Sequence, residues 1–280
     1  MKVLGKITSR LKLITNSGIN AGKNTAIRSL SLLTLLVCVH CPLCGQGKSP
    51  SARAGNTRAL VSFVGCASDG QVGSLKAPSG RSKTMAIPAA AAQRVAYYKA
   101  EQGFGVLAPK GWHCFGAYGS NGSSLYVSPD PINAAELFST TWKGFRGPVI
   151  QISSVNGGTS GRFEVARIIA RVFPERKAFV EEVIAEGIEP ASSFPYGRYP
   201  ADSLLYRGEN IVEFVTPGQT DGLGTASRVQ KNDSPIYGVA ILFGEEPSLL
   251  QLSMRLPSQT SDLAQVIIAQ AEREIEGFRD

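Results

Sequence analysis

The stretch Trp112-His-Cys-Phe-Gly-Ala-Tyr-Gly-Ser-Asn-Gly-Ser-Ser-Leu-Tyr-Val127 predicts a β-hairpin. Two aromatic-rich runs, 112–118 and 124–127, lie on either side of the segment Gly119-Ser-Asn-Gly122. Because Asn and Gly both accept a positive φ, this pair between two such runs is a strong signal for a tight turn. An antiparallel pair of strands is therefore the first element of the predicted fold.

Short apolar runs bounded by turn residues predict further strands. Residues 60–64 form one such run before the hairpin, and residues 104–109 form another, which a proline ends. Residues 148–155 have the period of two that is typical of a strand. One face of that strand would carry Val149, Gln151, Ser153 and Val155, and the other Ile150 and Ile152. The remaining predicted strands are 203–215, 225–230, 236–243 and 249–256.

Apolar residues at helical spacing predict two helices in the middle of the chain. The first has an apolar face at positions i, i+3, i+4 and i+7, formed by Val165, Ile168, Ile169 and Val172. Ser160 is expected to cap this helix, and Pro174 to end it and to open a second helix that runs through Phe179 to Gly187. An Ala-rich helix is predicted for 87–99, and a C-terminal helix from about 261 to 275.

This order of elements predicts an α+β fold. Strands joined by short turns, with helices grouped in the middle and at the end, favour an antiparallel sheet with two central helices and a C-terminal helix packed on it, an α/β sandwich. Alternating βαβ units are missing from the pattern, which argues against a doubly wound nucleotide-binding fold. We predict one globular domain over 85–280, preceded by a low-complexity basic arm over 46–84.

The N-terminal segment 1–45 has the layout of an export signal. It carries six Lys and Arg and no acid before an apolar run over 29–39. That run is shorter than the roughly 20 residues that cross a bilayer as a helix. A cleaved signal with its site between 44 and 54, an uncleaved anchor over 29–44 and a lipid-anchored form are the alternatives. Each predicts an exported protein, periplasmic or extracellular, that meets a membrane only through this segment.

Removal of that segment changes the electrostatics of the protein. The whole chain has 29 Lys and Arg against 22 Asp and Glu. Without residues 1–45 the counts are 23 and 22, so the basic isoelectric point belongs largely to the signal. We therefore do not predict nucleic-acid binding. The basic arm is expected to be a solvated segment, or alternatively to dock on the acidic domain or an anionic surface.

The five cysteines fall into two groups, three in the N-terminal segment and two after it. Cys38, Cys41 and Cys44 lie within it or at its edge, and their spacing resembles a metal motif, which an apolar export segment does not support. Cys66 and Cys114 are then an even pair in an oxidising compartment, which predicts one disulfide. We predict no metal and no cofactor.

Two resemblances add to this interpretation. The residues Gly105-Val-Leu-Ala-Pro-Lys-Gly-Trp-His-Cys114, followed by Tyr118-Gly-Ser-Asn-Gly-Ser-Ser-Leu-Tyr-Val-Ser-Pro129, resemble a signature of uncharacterised exported bacterial proteins. The element order over about 103–276 is similar to the Mog1/PsbP-like α/β sandwich. The first resemblance implies a compartment. The second implies a binding or assembly module, because most known members of that fold family have such roles.

We therefore expect a non-enzymatic binding or assembly module whose partner is an unknown envelope protein or a small ligand. The possible ligand face is aromatic and consists of Trp112, His113, Tyr118 and Tyr126, with Trp142 as a further candidate. The loop 157–161 precedes a helix and is an alternative anion site, although it lacks the Lys of a phosphate-binding loop.

A secreted hydrolase is the alternative function. One version would use His113 as the base for a nucleophilic Ser120 or Ser123, although no Gly-x-Ser-x-Gly elbow presents a serine. The other would use a pair of carboxylates chosen from Asp202, Glu209, Glu213 and Asp221. Neither version singles out a catalytic set, and we assign no catalytic residue from the sequence.

Overall fold

The computed structural model of the protein describes residues 58–132 and 134–276. The predicted export segment and its three cysteines lie outside the described residues. The strands are β1 (Arg58–Cys66), β2 (Ser68–Gly70), β3 (Ser82–Ala86), β4 (Val95–Ala100), β5 (Val106–Pro109), β6 (His113–Gly119), β7 (Gly122–Ser128), β8 (Val149–Val155), β9 (Ser203–Tyr206), β10 (Ile211–Thr216), β11 (Ile236–Phe243) and β12 (Ser248–Arg255). The helices are α1 (Ala89–Ala92), α2 (Ala134–Leu137), α3 (Arg162–Val172), α4 (Lys177–Ala185) and α5 (Ala264–Glu276).

The strands form two sheets. The small sheet has the order β3-β1-β4-β5, and the large sheet has the order β2-β6-β7-β8-β12-β11-β10-β9. Neighbouring strands are antiparallel except for β1 with β4 and β2 with β6, which are parallel. The predicted α+β class with a mainly antiparallel sheet is therefore confirmed.

One face of the large sheet forms the main core. Its side chains, such as Leu125, Ile152 and Leu252, pack in one cluster with the small sheet and with α5. Helix α5 contributes Ile267 and Ile275, which are spaced at helical periodicity and almost fully buried. The predicted packing of a C-terminal helix on the sheet is thus confirmed.

The opposite face of the large sheet is covered over only part of its width. The helices α3 and α4 pack a second core against β10, β11 and β12, and α3 also contacts β8. The predicted apolar stripe of α3 makes this contact, with Val165 and Ile169 buried against Phe214 and Leu242. Beyond α3, toward β6 and β7, the same face of the sheet lines an open groove.

The hairpin occurs where the sequence predicts it. β6 and β7 pair from His113 opposite Ser128 to Gly119 opposite Gly122, with Ser120 and Asn121 between them. Gly122 has a φ of +144°, and a Cβ there would lie 1.9 Å from the Ser154 carbonyl oxygen on β8. This glycine therefore lets β7 and β8 approach each other closely at the end of the sheet.

The prediction of a helix over 87–99 is wrong for most of its length. Only Ala89–Ala92 is helical, and Val95–Ala100 is β4. The alanines favour a helix locally, but Val95 and Tyr98 are buried and β4 pairs with β1 on one side and β5 on the other. Long-range pairing overrides local propensity here.

Two predicted strands also differ in the structure. The predicted strand 203–215 is a hairpin, because the chain turns between β9 and β10 at a segment where Gly208 has a φ of +139°. The predicted strand 225–230 consists of the end of the 3-10 helix Leu223–Thr225 and a loop with one isolated bridge, from Phe145 to Val229. Instead of a full ladder partner, the Arg228 backbone N–H of this loop has a side chain of the sheet as its acceptor, Gln151 Oε1.

The segment expected to be a basic arm is part of the folded unit over its described residues. β1 and β3 pair with each other, and β1 is the parallel neighbour of β4. The predicted disulfide is confirmed: Cys66 at the end of β1 is bonded to Cys114 in β6. It links the small sheet to the large one, so the boundary predicted at residue 85 does not separate this segment from the sheet.

Candidate functional site

A large groove lies on the open part of the large sheet. It has a volume of about 680 Å³, and we call it the hydroxyl groove. Its floor is formed by side chains of β7 and β8 that share one face, namely Ser124, Tyr126, Gln151 and Ser153. Its walls come from the first turn of α3, from the loop 226–228, from the hairpin tip and from Phe138.

The floor side chains are joined by hydrogen bonds. The Ser124 and Ser153 hydroxyl oxygens lie 2.8 Å apart, and the Gln151 Nε2 donates to Ser153 Oγ at 2.8 Å. The backbone N–H of Arg228 donates to Gln151 Oε1 at 2.8 Å. Because a backbone N–H can only donate, it fixes which side of the amide is oxygen, and Ser153 must accept from the amide nitrogen. The Ser153 hydroxyl hydrogen is then available to Ser124 or to a ligand.

On β8 this polar floor interrupts an otherwise apolar row of side chains. On β8, Val149 and Val155 share the face of Gln151 and Ser153, and both valines are buried in apolar clusters. Gln151 and Ser153 are themselves less than a tenth exposed. Burial of polar groups costs free energy unless their hydrogen bonds are made, and the network above meets that requirement.

Two charged side chains line the groove. Glu164, in the first turn of α3, is exposed to the groove, yet the surrounding protein displaces enough water to raise the pKa of its carboxyl above the ordinary value. The positive charges of Arg167 and Arg228 act in the opposite direction and weaken this rise in pKa. Arg167 is engaged with Glu189 at 2.6 Å, whereas Arg228 makes no ion pair with any described side chain.

An aromatic cluster supports the Arg228 side of the groove. The ring of Tyr126 lies 5.4 Å from that of Phe145, which in turn packs edge to face on Trp142 at 5.1 Å between centroids. The Arg228 guanidinium lies 5.8 Å from the centre of the Trp142 ring, within the range of a cation–π contact. Across the groove, Phe138 is 51% exposed and packs on Phe115.

The structure brings together only part of the predicted ligand face. Tyr118 and Tyr126 both line the hydroxyl groove. Trp112 instead packs against the main core, and its backbone N–H donates to the Tyr98 hydroxyl at 3.1 Å. His113 is exposed at the start of β6, and neither it nor Trp112 lines the groove.

The register of the hairpin separates the residues of the proposed His–Ser pair. His113 is opposite Ser128, whereas Ser123 is opposite Tyr118, five residues further along β6. At about 3.4 Å per residue this distance is roughly 17 Å. His113 therefore does not act as a base for Ser123 or for Ser120 in the turn beyond it.

The four carboxylates considered for hydrolysis do not line the hydroxyl groove. Asp202 is buried, and its carboxylate accepts hydrogen bonds from the Thr216 hydroxyl at 2.7 Å and from the Leu223 backbone N–H at 2.8 Å. Glu213 pairs with Arg207, and Asp221 pairs with Lys231. Their contacts hold loops and strands of the fold, and Glu209 lies in the exposed turn between β9 and β10.

The loop 157–161 does not form an anion site. Gly161 is the N-cap of α3, so the prediction that Ser160 caps this helix is wrong. The Ser160 hydroxyl donates instead to the Asn121 side chain at 2.7 Å and ties the loop to the hairpin tip. The backbone N–H groups of Arg162 and Glu164 donate to carbonyls of Thr159 and Gly161, so the first turn has internal partners.

The sequence does not reveal Glu164 and Arg228 as groove residues. A single Glu in a helix and a single Arg in a loop carry no motif, and they meet only through the tertiary fold. Gln151 and Ser153 do leave a signal, because they are polar residues on the face of a strand whose other members are valines.

Within residues 58–132 and 134–276, His, Cys, Asp and Glu side chains form no group that could hold a metal ion. None of the described helices has the length and apolarity needed to cross a bilayer. Comparisons with family models, curated proteins and solved structures return no match. The resemblances to exported bacterial proteins and to the Mog1/PsbP-like sandwich therefore stay predictions.

Proposed function

We propose that this protein is an exported, non-enzymatic binding module and that the hydroxyl groove binds a saccharide. The observation that carries the proposal is the hydrogen-bonded floor of Ser124, Ser153 and Gln151 at the bottom of an open groove of about 680 Å³. The groove volume lies in the range of sites for small organic ligands. The exported location rests on the composition of residues 1–45.

The chemistry of the floor matches a ligand with many hydroxyl groups. Each serine hydroxyl donates one hydrogen bond and accepts two, as each sugar hydroxyl does, so the two sets can replace the water that both lose on binding. Glu164 accepts hydrogen bonds from hydroxyl groups, and Arg228 donates them to oxygen atoms of a ring, an acetyl group or a carboxylate. The exposed ring of Phe138 offers an apolar surface to the C–H face of a sugar.

The hydrolase alternative receives less support from the groove. A glycosidase of the usual kind needs two carboxyl groups across the scissile bond. Among the described residues that line the groove, Glu164 is the single carboxylate. A saccharide held by one acid and a row of hydroxyls is therefore bound without being cleaved.

Binding is tested with the protein recovered after expression of the full chain under oxidising conditions. A panel of neutral, N-acetylated and acidic oligosaccharides is screened, and titration calorimetry measures the affinity of those that bind. We expect Gln151→Leu and Ser153→Ala to weaken binding about tenfold each, because each removes one buried hydrogen-bond partner. The matched control Ser261→Ala changes a serine of the 3-10 helix Ser258–Leu263 before α5 and should bind normally. Absence of binding across the panel, or equal binding by all variants, would refute the proposal.

A further inference from the structure

We infer that the bound saccharide is a chain, which continues from the hydroxyl groove over the end of the β6–β7 hairpin into a second groove. This inference rests on the proposed function and adds the length of the ligand to it. The second groove has a volume of about 380 Å³, and we call it the tip groove. It is lined by the loop 102–104, by Phe243 and Ser248, and by the ends of β6, β7 and β8.

The two grooves share part of their walls. Tyr118, Ser120, Gly122, Ser123 and Ser154 line both of them. The two grooves therefore adjoin at the end of the β6–β7 hairpin, and the strand ends between them offer a chain a passage from one groove to the other.

The hydroxyl pairs of the sheet continue along that passage. Ser123 and Ser154 are opposite each other in the register, directly after Ser124 and Ser153, and their hydroxyl oxygens lie 3.0 Å apart. Because side chains alternate between the faces of a sheet, one pair faces the hydroxyl groove floor and the next faces the tip groove. A chain of sugar rings would meet hydroxyl groups on both sides of the turn.

The loop 102–104, which forms one wall of the tip groove, lies close to the hydroxyl pair of Ser123 and Ser154. Gly103 has a φ of +80°, and a Cβ at this position would lie 2.0 Å from Ser123 Oγ. The Lys99 ammonium group donates to the carbonyls of Ala100 and Gly103 and so holds the loop in place. Beside it, Phe104 packs edge to face on Phe243 at 6.0 Å and gives the groove an aromatic surface of the kind that contacts sugar rings.

The inference is tested with two length ladders, of N-acetylglucosamine oligomers and of galacturonic acid oligomers, each from monomer to hexamer. In the ladder that binds, we expect the hexamer to bind about tenfold more tightly than the dimer. Gln102→Trp fills the tip groove from an exposed position and should remove this gain while leaving monomer binding unchanged. Glu245→Trp is the matched control, because Glu245 is also exposed and lines neither groove.

The outcomes separate the two proposals. If affinity rises with length and Gln102→Trp alone removes the rise, the chain occupies both grooves. If all lengths bind equally and Ser153→Ala still weakens binding, the tip groove has no part in binding and the inference is overturned, while the proposed function stands. If no oligomer of either ladder and no member of the wider panel binds, the proposed function itself fails.

Discussion

Ser124 and Ser153 occupy directly opposite positions on β7 and β8, and their hydroxyl oxygens lie 2.8 Å apart on the floor of the hydroxyl groove. Ser153 Oγ also accepts a hydrogen bond from the amide nitrogen of Gln151. The amide oxygen of Gln151 in turn accepts a hydrogen bond from the Arg228 backbone N–H. The floor is therefore one connected network that links the sheet to the loop 226–228, and its members should be coupled in stability as well as in binding.

A double-mutant cycle measures this coupling. Ser153→Ala leaves the buried Gln151 Nε2 without its acceptor, and we expect it to lower the free energy of unfolding by about 2 kcal/mol. Once Ser153→Ala is present, Ser124→Ala should cost less than it does alone, because its partner is already lost. Urea unfolding of the four proteins checks both values. Ser261→Ala, an exposed control, should stay within about 0.5 kcal/mol of the unaltered protein, and strictly additive effects would contradict the network.

The sequence predicts most of the fold because its strongest signals are local. The hairpin turn lies within the Gly-Ser-Asn-Gly segment 119–122, where Gly122 has a φ of +144°, and the apolar stripe of α3 is formed by four residues at helical spacing. Both elements occur at the predicted positions. The failures have the opposite character. Residues 87–99 are rich in alanine, and part of the segment is β4 because it pairs with β1, far earlier in the chain, and with the next strand, β5.

The site was harder to predict for the same reason. Tyr118 and Tyr126 belong to the hairpin and were accessible to sequence reasoning, as was the alternation that places Gln151 beside valines. The remaining walls come from α3 and from a loop some 75 residues further along the chain than β8, with Arg228 bonded to Gln151 across a separation of 77 residues. No local sequence pattern indicates this contact between Gln151 and Arg228. For the loop 226–228 the sequence predicts a strand instead.

The raised pKa of Glu164 predicts a pH dependence of stability. Because the folded protein holds this proton more tightly than the unfolded chain does, stability rises as the pH falls from above the folded pKa toward the ordinary value of 4.5. Above the folded pKa the carboxylate is destabilising. We therefore expect Glu164→Gln to be more stable than the unaltered protein at neutral pH and equal to it below about pH 4.

Thermal unfolding of both proteins across this range of pH tests the sign. Burial also raises the pKa of Glu272, together with the negative charges of Glu213 and Glu276, so the pH profile of either protein alone mixes two groups. The difference between the two profiles isolates Glu164. If Glu164→Gln were instead less stable than the unaltered protein at neutral pH, with a deficit that disappears as the pH falls, the pKa of Glu164 would be lowered in the folded protein.

Arg255 is expected to hold two loops beside the groove. It is 2% exposed, pairs with no acidic side chain of the described residues, and donates to the backbone carbonyls of Arg146 at 3.0 Å and of Gln230. Arg255→Met keeps much of the volume and removes these donors. We expect faster hydrogen exchange at the amides of Phe145 and Gln230, which bond across the two loops. The Leu252 amide in the sheet is the internal control, and unchanged exchange in both loops would contradict this role.

The disulfide should contribute strongly to stability from a position outside the groove. Cys66 and Cys114 are separated by 48 positions and join β1 of the small sheet to β6 of the large one. Closure of a loop of this length restricts the unfolded chain by about 4 kcal/mol in the loop-entropy model. We expect the double variant Cys66→Ala/Cys114→Ala to lose about this much in urea unfolding, and the unaltered protein to lose a similar amount in dithiothreitol. Dithiothreitol should leave the double variant unchanged, because its remaining cysteines all precede residue 46. If the reductant shifts both proteins equally, the bond between Cys66 and Cys114 is not what it breaks.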